Sequence, residues 1–189
     1  MRLFVGLVPS SAALDDLDGA RAPFRLGRDD LRWTGRELWH LTLAFLGEVG
    51  EVGEESLPGL VPWLERAAGR NRAFTLSVAG GGAFPNPARA NVLWSGMSGD
   101  IPALAELAAT MAAAARGAGV VPPDAYRGFT PHLTLARCRA PVDVREIVSR
   151  LDPYQGPAWT VEEICLIRST LNGRPRYRML ETWKLASAA

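Results

Sequence analysis

Two short stretches, Trp39-His40-Leu41-Thr42-Leu43-Ala44 and Pro131-His132-Leu133-Thr134-Leu135-Ala136, hold both histidines of the 189-residue chain. Each histidine opens the same five residues, HLTLA, and the copies begin 92 positions apart (132 minus 40). An imidazole with an ordinary pKa near 6.5 changes charge around neutrality. Two of them across a cleft can therefore divide acid–base work, one taking a proton from an attacking water and the other giving one to a leaving oxygen. Each such contribution is typically worth ~10²–10⁴ in rate. On a strand, successive side chains alternate faces, so His40 and Thr42 share one face, and His132 and Thr134 repeat the pattern. Leu41, Leu43, Leu133 and Leu135 are left to anchor the strands. The threonine hydroxyls can donate to anionic oxygens held between the imidazoles. A compact phosphodiester suits such a set, with an acid and a base on opposite sides for in-line displacement.

Other chemistries fit the sequence less well. A zinc site needs further ligands at workable spacing, and neither Cys138 nor Cys165 belongs to a CxxC pair, so no metal is expected. Ser95, in Leu-Trp-Ser-Gly-Met, lacks the G-x-S-x-G surroundings of a nucleophile elbow. Arg137 lies two residues past Leu135 and carries the planar fork that grips phosphate. Strict alternation puts it on the leucine face, away from the cleft, unless a twist, a bulge or the strand end turns it round.

The elements that must position these residues interleave. A β-type run, 2–8, is ended by Pro9, and Ser10 and Ser11 are capping candidates for a helix that follows. Residues 31–34 and 39–46 read as a strand pair joined by a turn through Gly35. Residues 54–70 are helical in their second half, with Pro58 and Pro62 disturbing the first. Strands are expected at 73–80 and 90–97 around a Gly/Pro loop, GGAFPNPAR. Residues 100–119 form the clearest helix, Ala-rich with Leu at helical spacing. Strand 131–137, a short helix over 142–151 and strands 158–168 and 176–185 complete the second half, the last two separated by an Asn-Gly turn signal. Recurrence of one motif in both halves points to two copies of one unit related by a pseudo-twofold axis.

Composition narrows the class. The chain has 48% hydrophobic and 22% charged residues and a net charge of +1, which describes a globular protein able to bury a core rather than a diffuse polyanion binder. No apolar run reaches membrane-span length, and the opening MRLFVGLVPSS is too short for a secretory signal. Two unpaired-looking cysteines fit a reducing cytoplasm. Lys184 is the only lysine among 21 basic residues, so any phosphate site would be built from arginine.

At the two HxTx motifs the chain resembles the 2H phosphoesterase superfamily, and within it the RNA 2′,3′-cyclic phosphodiesterases, also called 2′-5′ RNA ligases. The likeness extends over "RLFVGL", "HLTLAFLGEV", "GGAFPNPARANVLW", "FTPHLTLAR" and "LIRSTL…RYRMLETW", nearly the whole chain. Leu38 is a departure, standing where relatives often carry Asn. The resemblance implies an α+β, bilobal fold, with two pseudo-symmetric α/β lobes whose antiparallel sheets flank a central cleft and contribute one HxTx motif each. It implies a single domain over 1–189 made of two intertwined lobes; the last residues, 186–189, are expected to be a flexible tail as a free chain end. It further implies metal-independent, cofactor-free opening of a 2′,3′-cyclic phosphate at an RNA 3′ end to a 2′-phosphate. In this reading His40 is proton donor, His132 proton acceptor, and Arg137 binds the substrate phosphate. Some members join tRNA halves through a 2′-5′ linkage. A monomer in the cytoplasm, with RNA as partner and no membrane, is expected.

Contacts beyond the phosphate are less legible. Arg32, Trp33 and Phe129 are candidate RNA contacts, and Phe4, Trp39, Phe45, Phe84, Arg89 and Arg127 lie near the presumed cleft in sequence terms. Aromatic rings can stack bases, but most of these rings suit a core. Two alternatives stay open at this point: the same chemistry on linear 2′-5′ linkages or cyclic mononucleotides, and a non-catalytic nucleotide- or RNA-binding module.

Overall fold

A computed structural model describes residues 2–48, 57–120, 128–170 and 177–187. Strands among them are β1 (Arg2–Leu7), β2 (Leu31–Trp33), β3 (Leu41–Glu48), β4 (Phe74–Phe84), β5 (Ala90–Gly99), β6 (Leu133–Val142), β7 (Trp159–Val161), β8 (Glu163–Ser169) and β9 (Tyr177–Lys184). The helices are α1 (Ser11–Arg21), α2 (Leu57–Ala68), α3 (Ile101–Gly117) and α4 (Arg145–Leu151). The strands join in one curled antiparallel sheet in the order β7-β4-β5-β6-β3-β1-β8-β9, with β2 also paired to β6. This is the expected α+β, bilobal arrangement, and its symmetry is visible in the order itself. Reading outward from the centre, β6-β5-β4-β7 corresponds to β3-β1-β8-β9.

The halves meet at one residue pair, Leu41 opposite Leu133. These are the residues immediately after the two histidines, so the pseudo-twofold axis passes through the repeated phrase. Both leucines are fully buried, and their burial holds the histidines side by side. Helix α3 packs against α2 and, across the halves, against β3, while α4 covers β4 within its own half. Ser10 accepts from the Ala13 amide (3.2 Å) to cap α1, and Asp100 accepts from the Ala103 amide (3.1 Å) to cap α3. Each side chain satisfies a donor that the helix leaves unpaired.

Several local expectations change. Residues 31–34 and 39–46 do not pair with each other; β2 pairs with β6, and β3 with β1 and β6. The connection between them starts from an extended Gly35 (φ −64°) and forms a 3₁₀ turn, Arg36–Leu38, and each strand finds its partner in β6 or β1 instead. The expected strand 158–168 is two strands. β7 pairs with β4 and β8 with β1, so the chain changes halves between Val161 and Glu163. The first four residues of the expected nine-residue Gly/Pro loop are strand, since β4 runs on to Phe84. Helix α2 starts at Leu57 despite Pro58 and Pro62. Pro58 sits in the first turn, where its missing N–H costs nothing. Pro62 forfeits one helical hydrogen bond, offset by burial of Leu60, Leu64, Ala67 and Ala68.

At the C-terminus, Ala186 is tied into the fold, donating to the Asn71 carbonyl and accepting from the Ala73 amide, both at 2.8 Å. Residues 188–189 lie outside the described residues. Cys165 is buried and Cys138 half-buried, both free thiols. Among the described residues no helix is long and apolar enough to cross a membrane.

Candidate active site

Both motifs are interrupted at the same place. In β3, Thr42 pairs with Gly6 and Ala44 with Val5, which leaves Leu43 without an opposite residue. In β6, Thr134 pairs with Trp94 and Ala136 with Leu93, which leaves Leu135 without one. An extra residue reverses the facing of everything after it, so Leu43 and Ala44 are both buried, as are Leu135 and Ala136. The residue five past each histidine, Phe45 or Arg137, therefore joins the His/Thr face. Strict alternation had sent Arg137 the other way. The bulge brings it back.

His40, Thr42, His132, Thr134 and Arg137 line one cavity of about 240 Å³. The His40 Nδ1–H donates to the Leu38 carbonyl (2.9 Å), and the His132 Nδ1–H to the Thr130 carbonyl (2.8 Å). These equivalent bonds, each to the residue two back, commit Nδ1 and leave Nε2 as the nitrogen available to a substrate. Leu38 serves through its backbone, so the missing Asn side chain does not deprive His40 of this partner. Phe4 stacks on His40 (centroids 4.6 Å, 28°), and Tyr177 meets its ring edge-on (5.0 Å). Phe84 meets His132 edge-on (5.0 Å), with Trp94 at 6.0 Å. Glycines permit this packing. A Cβ on Gly6 would lie 2.8 Å from the Leu41 carbonyl oxygen, and one on Gly82 would lie 2.2 Å from the Trp94 ring.

Burial governs the electrostatics. It pushes the His40 pKa down to about 4; the bond to Leu38 opposes this, and the charges of His132 and Arg137 reinforce it. His132 is also lowered, again chiefly by burial and then by Arg137. With the cleft empty, both imidazoles are neutral at pH 7. A bound anion would favour the protonated imidazoles and so oppose the effect of burial, raising their pKa values.

Arg32 and Trp33 also line the cavity. Phe129 is exposed and does not line it; Arg89 likewise lies outside the lining, and Arg127 is outside the described residues. Trp39 belongs to the core, under the Arg21 guanidinium (4.2 Å from its ring). Arg21 is itself buried, pairs with Asp18 and donates to the Thr34 carbonyl, so it ties α1 to the segment that enters the first motif. Tyr177, Arg2 and Ser169 were not foreseen as lining residues. They come from β1, β8 and β9, and no motif in the sequence announces that β8 returns beside β1 and carries β9 next to it. Among the described residues no carboxylate or thiolate lines the cavity. Among the described residues, no group of three or more His, Cys, Asp or Glu is placed to hold a metal.

A family model described as the 2′-5′ RNA ligase superfamily matches residues 9–173. The chain belongs to that superfamily. It is 36% identical over 149 residues to the RNA 2′,3′-cyclic phosphodiesterase of Escherichia coli (strain K12), covering 77% of this chain and 75% of the relative. The protein of the same name from Thermus thermophilus is 35% identical over 150 residues, covering 77% and 71%. Among solved structures, Escherichia coli LigT complexed with 3′-AMP matches with a TM-score of 0.77 and 30% identity over 97% of each chain. TT0787 of Thermus thermophilus matches at 0.76, with 29% identity over 100% of each.

Proposed function

We propose that this superfamily member opens 2′,3′-cyclic phosphate ends of RNA to 2′-phosphates by metal-independent general acid–base catalysis. One observation carries the reading: two imidazoles with Nδ1 committed to backbone carbonyls share a small cleft with two threonines and an arginine. The names of the relatives supply the substrate class. In this mechanism the neutral Nε2 of His132 takes a proton from water as its oxygen attacks phosphorus. The bond from phosphorus to the 3′ oxygen breaks, and protonated His40 gives its Nε2 proton to that oxygen. The phosphate stays on the 2′ oxygen. Thr42, Thr134 and Arg137 hold the non-bridging oxygens as negative charge builds. Because an empty cleft leaves His40 neutral, the substrate's own anion is what makes it an effective acid. The cyclic ester thus recruits its proton donor on binding.

Replacing water by a 5′ hydroxyl in the same step gives a 2′-5′ linkage and a free 3′ hydroxyl, so reversible ligation belongs to the same proposal. The test is an RNA oligomer ending in a 2′,3′-cyclic phosphate, incubated with EDTA, with the product's phosphate position read by phosphorus NMR. Formation of a 2′-phosphate is expected. A 3′-phosphate, or activity abolished by EDTA, would refute the mechanism.

A further inference from the structure

A second, open cavity of about 760 Å³ adjoins the catalytic cleft, and the two share Arg32 and Trp33 as a common wall. Its other charged walls are Arg25, Arg28, Arg139 and a single carboxylate, Asp29. Arg28 is neutralised by a two-pronged bond to Asp30, both contacts at 2.8 Å. Arg25, Arg32 and Arg139 are exposed and have no carboxylate partner among the described residues.

Their placement is unfavourable for an empty surface. Arg32 of β2 stands directly opposite Arg137 of β6, and like charges directly opposite on paired strands repel. Arg139 follows Arg137 at i+2 on the same face, an advance of about 6.7 Å along the strand, similar to the step between successive phosphates of an extended nucleotide chain. The result is a track of arginines that starts at the catalytic Arg137 and leads out of the cleft. Trp33 sits at the junction, and Leu26, 85% exposed, lies on the outer wall. Unpaired arginines beside apolar side chains make a surface for single-stranded nucleic acid, with phosphates on the charges and bases on the apolar groups.

We propose that this groove binds the RNA strand 5′ of the reacting phosphate. The inference rests on the proposed activity, because a 2′,3′-cyclic end continues covalently only in the 5′ direction. A track leaving the cleft is where the rest of the strand must run. Arg32 sits in both cavities, whereas Arg25 and Arg139 touch the groove alone. The terminal nucleotide's chemistry is therefore independent of these two.

The test compares wild type with Arg25→Ala/Arg139→Ala on two substrates, a 2′,3′-cyclic mononucleotide and an octanucleotide with the same end, across a salt series. A control, Arg70→Ala/Arg116→Ala, removes equal charge outside both cavities. For the groove variant, kcat/KM on the octanucleotide should fall at least about fivefold at low salt. Its salt slope should become shallower by about 1.4, at ~0.7 for each lost single-strand phosphate contact. The mononucleotide should be unaffected. Equal effects on both substrates, or the same octanucleotide loss in the control, would overturn the proposal. Fluorescence anisotropy with a 2′-phosphorylated octanucleotide tests the groove without turnover: weaker binding by the groove variant alone supports it, and unchanged binding overturns it. If wild type hydrolyses neither substrate, the proposed activity fails while the anisotropy result still decides the groove.

Discussion

At the residue scale, the histidines and Arg137 make separable contributions. His40→Ala or His132→Ala should each lower kcat on a cyclic-phosphate RNA by roughly 10²–10⁴ or more. Circular dichroism should remain native, since neither side chain anchors the core. Arg137→Lys keeps the charge but loses the two-pronged fork. It should raise KM more than it lowers kcat, and equal loss in both parameters would instead mean that Arg137 acts mainly in the transition state. The histidines and threonines were legible because they are repeated and because no other histidine exists. Their ring partners were legible only in part. Phe4 was among the rings expected near the cleft and stacks on His40, whereas Tyr177, far away in sequence, meets the same ring edge-on without any motif to announce it.

At the element scale, the shared bulge is the device that builds the site. Two adjacent apolar residues, Leu43-Ala44 and Leu135-Ala136, both bury, and only a slipped register allows that without breaking the strand. Sequence alternation alone put Arg137 on the wrong face because a bulge depends on the partner strand's spacing. Packing around β4 and β5 is equally specific. A methyl on Gly82 would collide with the outer ring atoms of Trp94, and overpacking of this kind typically costs ~1–3 kcal/mol. Gly82→Ala should lower Tm and depress kcat, because Trp94 adjoins His132. Adding Trp94→Phe removes the colliding atoms and should recover both. Recovery of neither in thermal melts and initial rates would show that the glycine is needed for its backbone rather than for clearance.

At the scale of the whole molecule, placing both imidazoles in a half-buried seam makes folding sensitive to acid. The unfolded chain binds a proton at each histidine near pH 6.5, whereas folded His40 does so only near pH 4. Between those values the unfolded state holds more protons, so stability falls as the pH drops. The His40 shift alone corresponds to at most about 3 kcal/mol across that window. Chemical denaturation at pH 7 and pH 4.5 should show the loss, and His40→Phe should reduce it. Sulfate, whose charge is constant over this range, should bind more tightly at pH 5 than at pH 7.5 because the bound anion favours protonated imidazoles. Equal affinity at both values would contradict the electrostatic account of the cleft.

By itself the sequence determined the paired histidines and threonines that meet in the cleft, the twofold repetition, and most strands and helices, because these depend on residue type and local periodicity. Tertiary structure decided which strands become neighbours. It paired β2 with β6 rather than β3, sent β7 and β8 to opposite halves, and joined the halves at Leu41 and Leu133. Strand pairing links residues far apart in the chain, and no local pattern encodes the partner. The bulges, the direction of Arg137 and the arginine track beside the cleft all follow from that pairing.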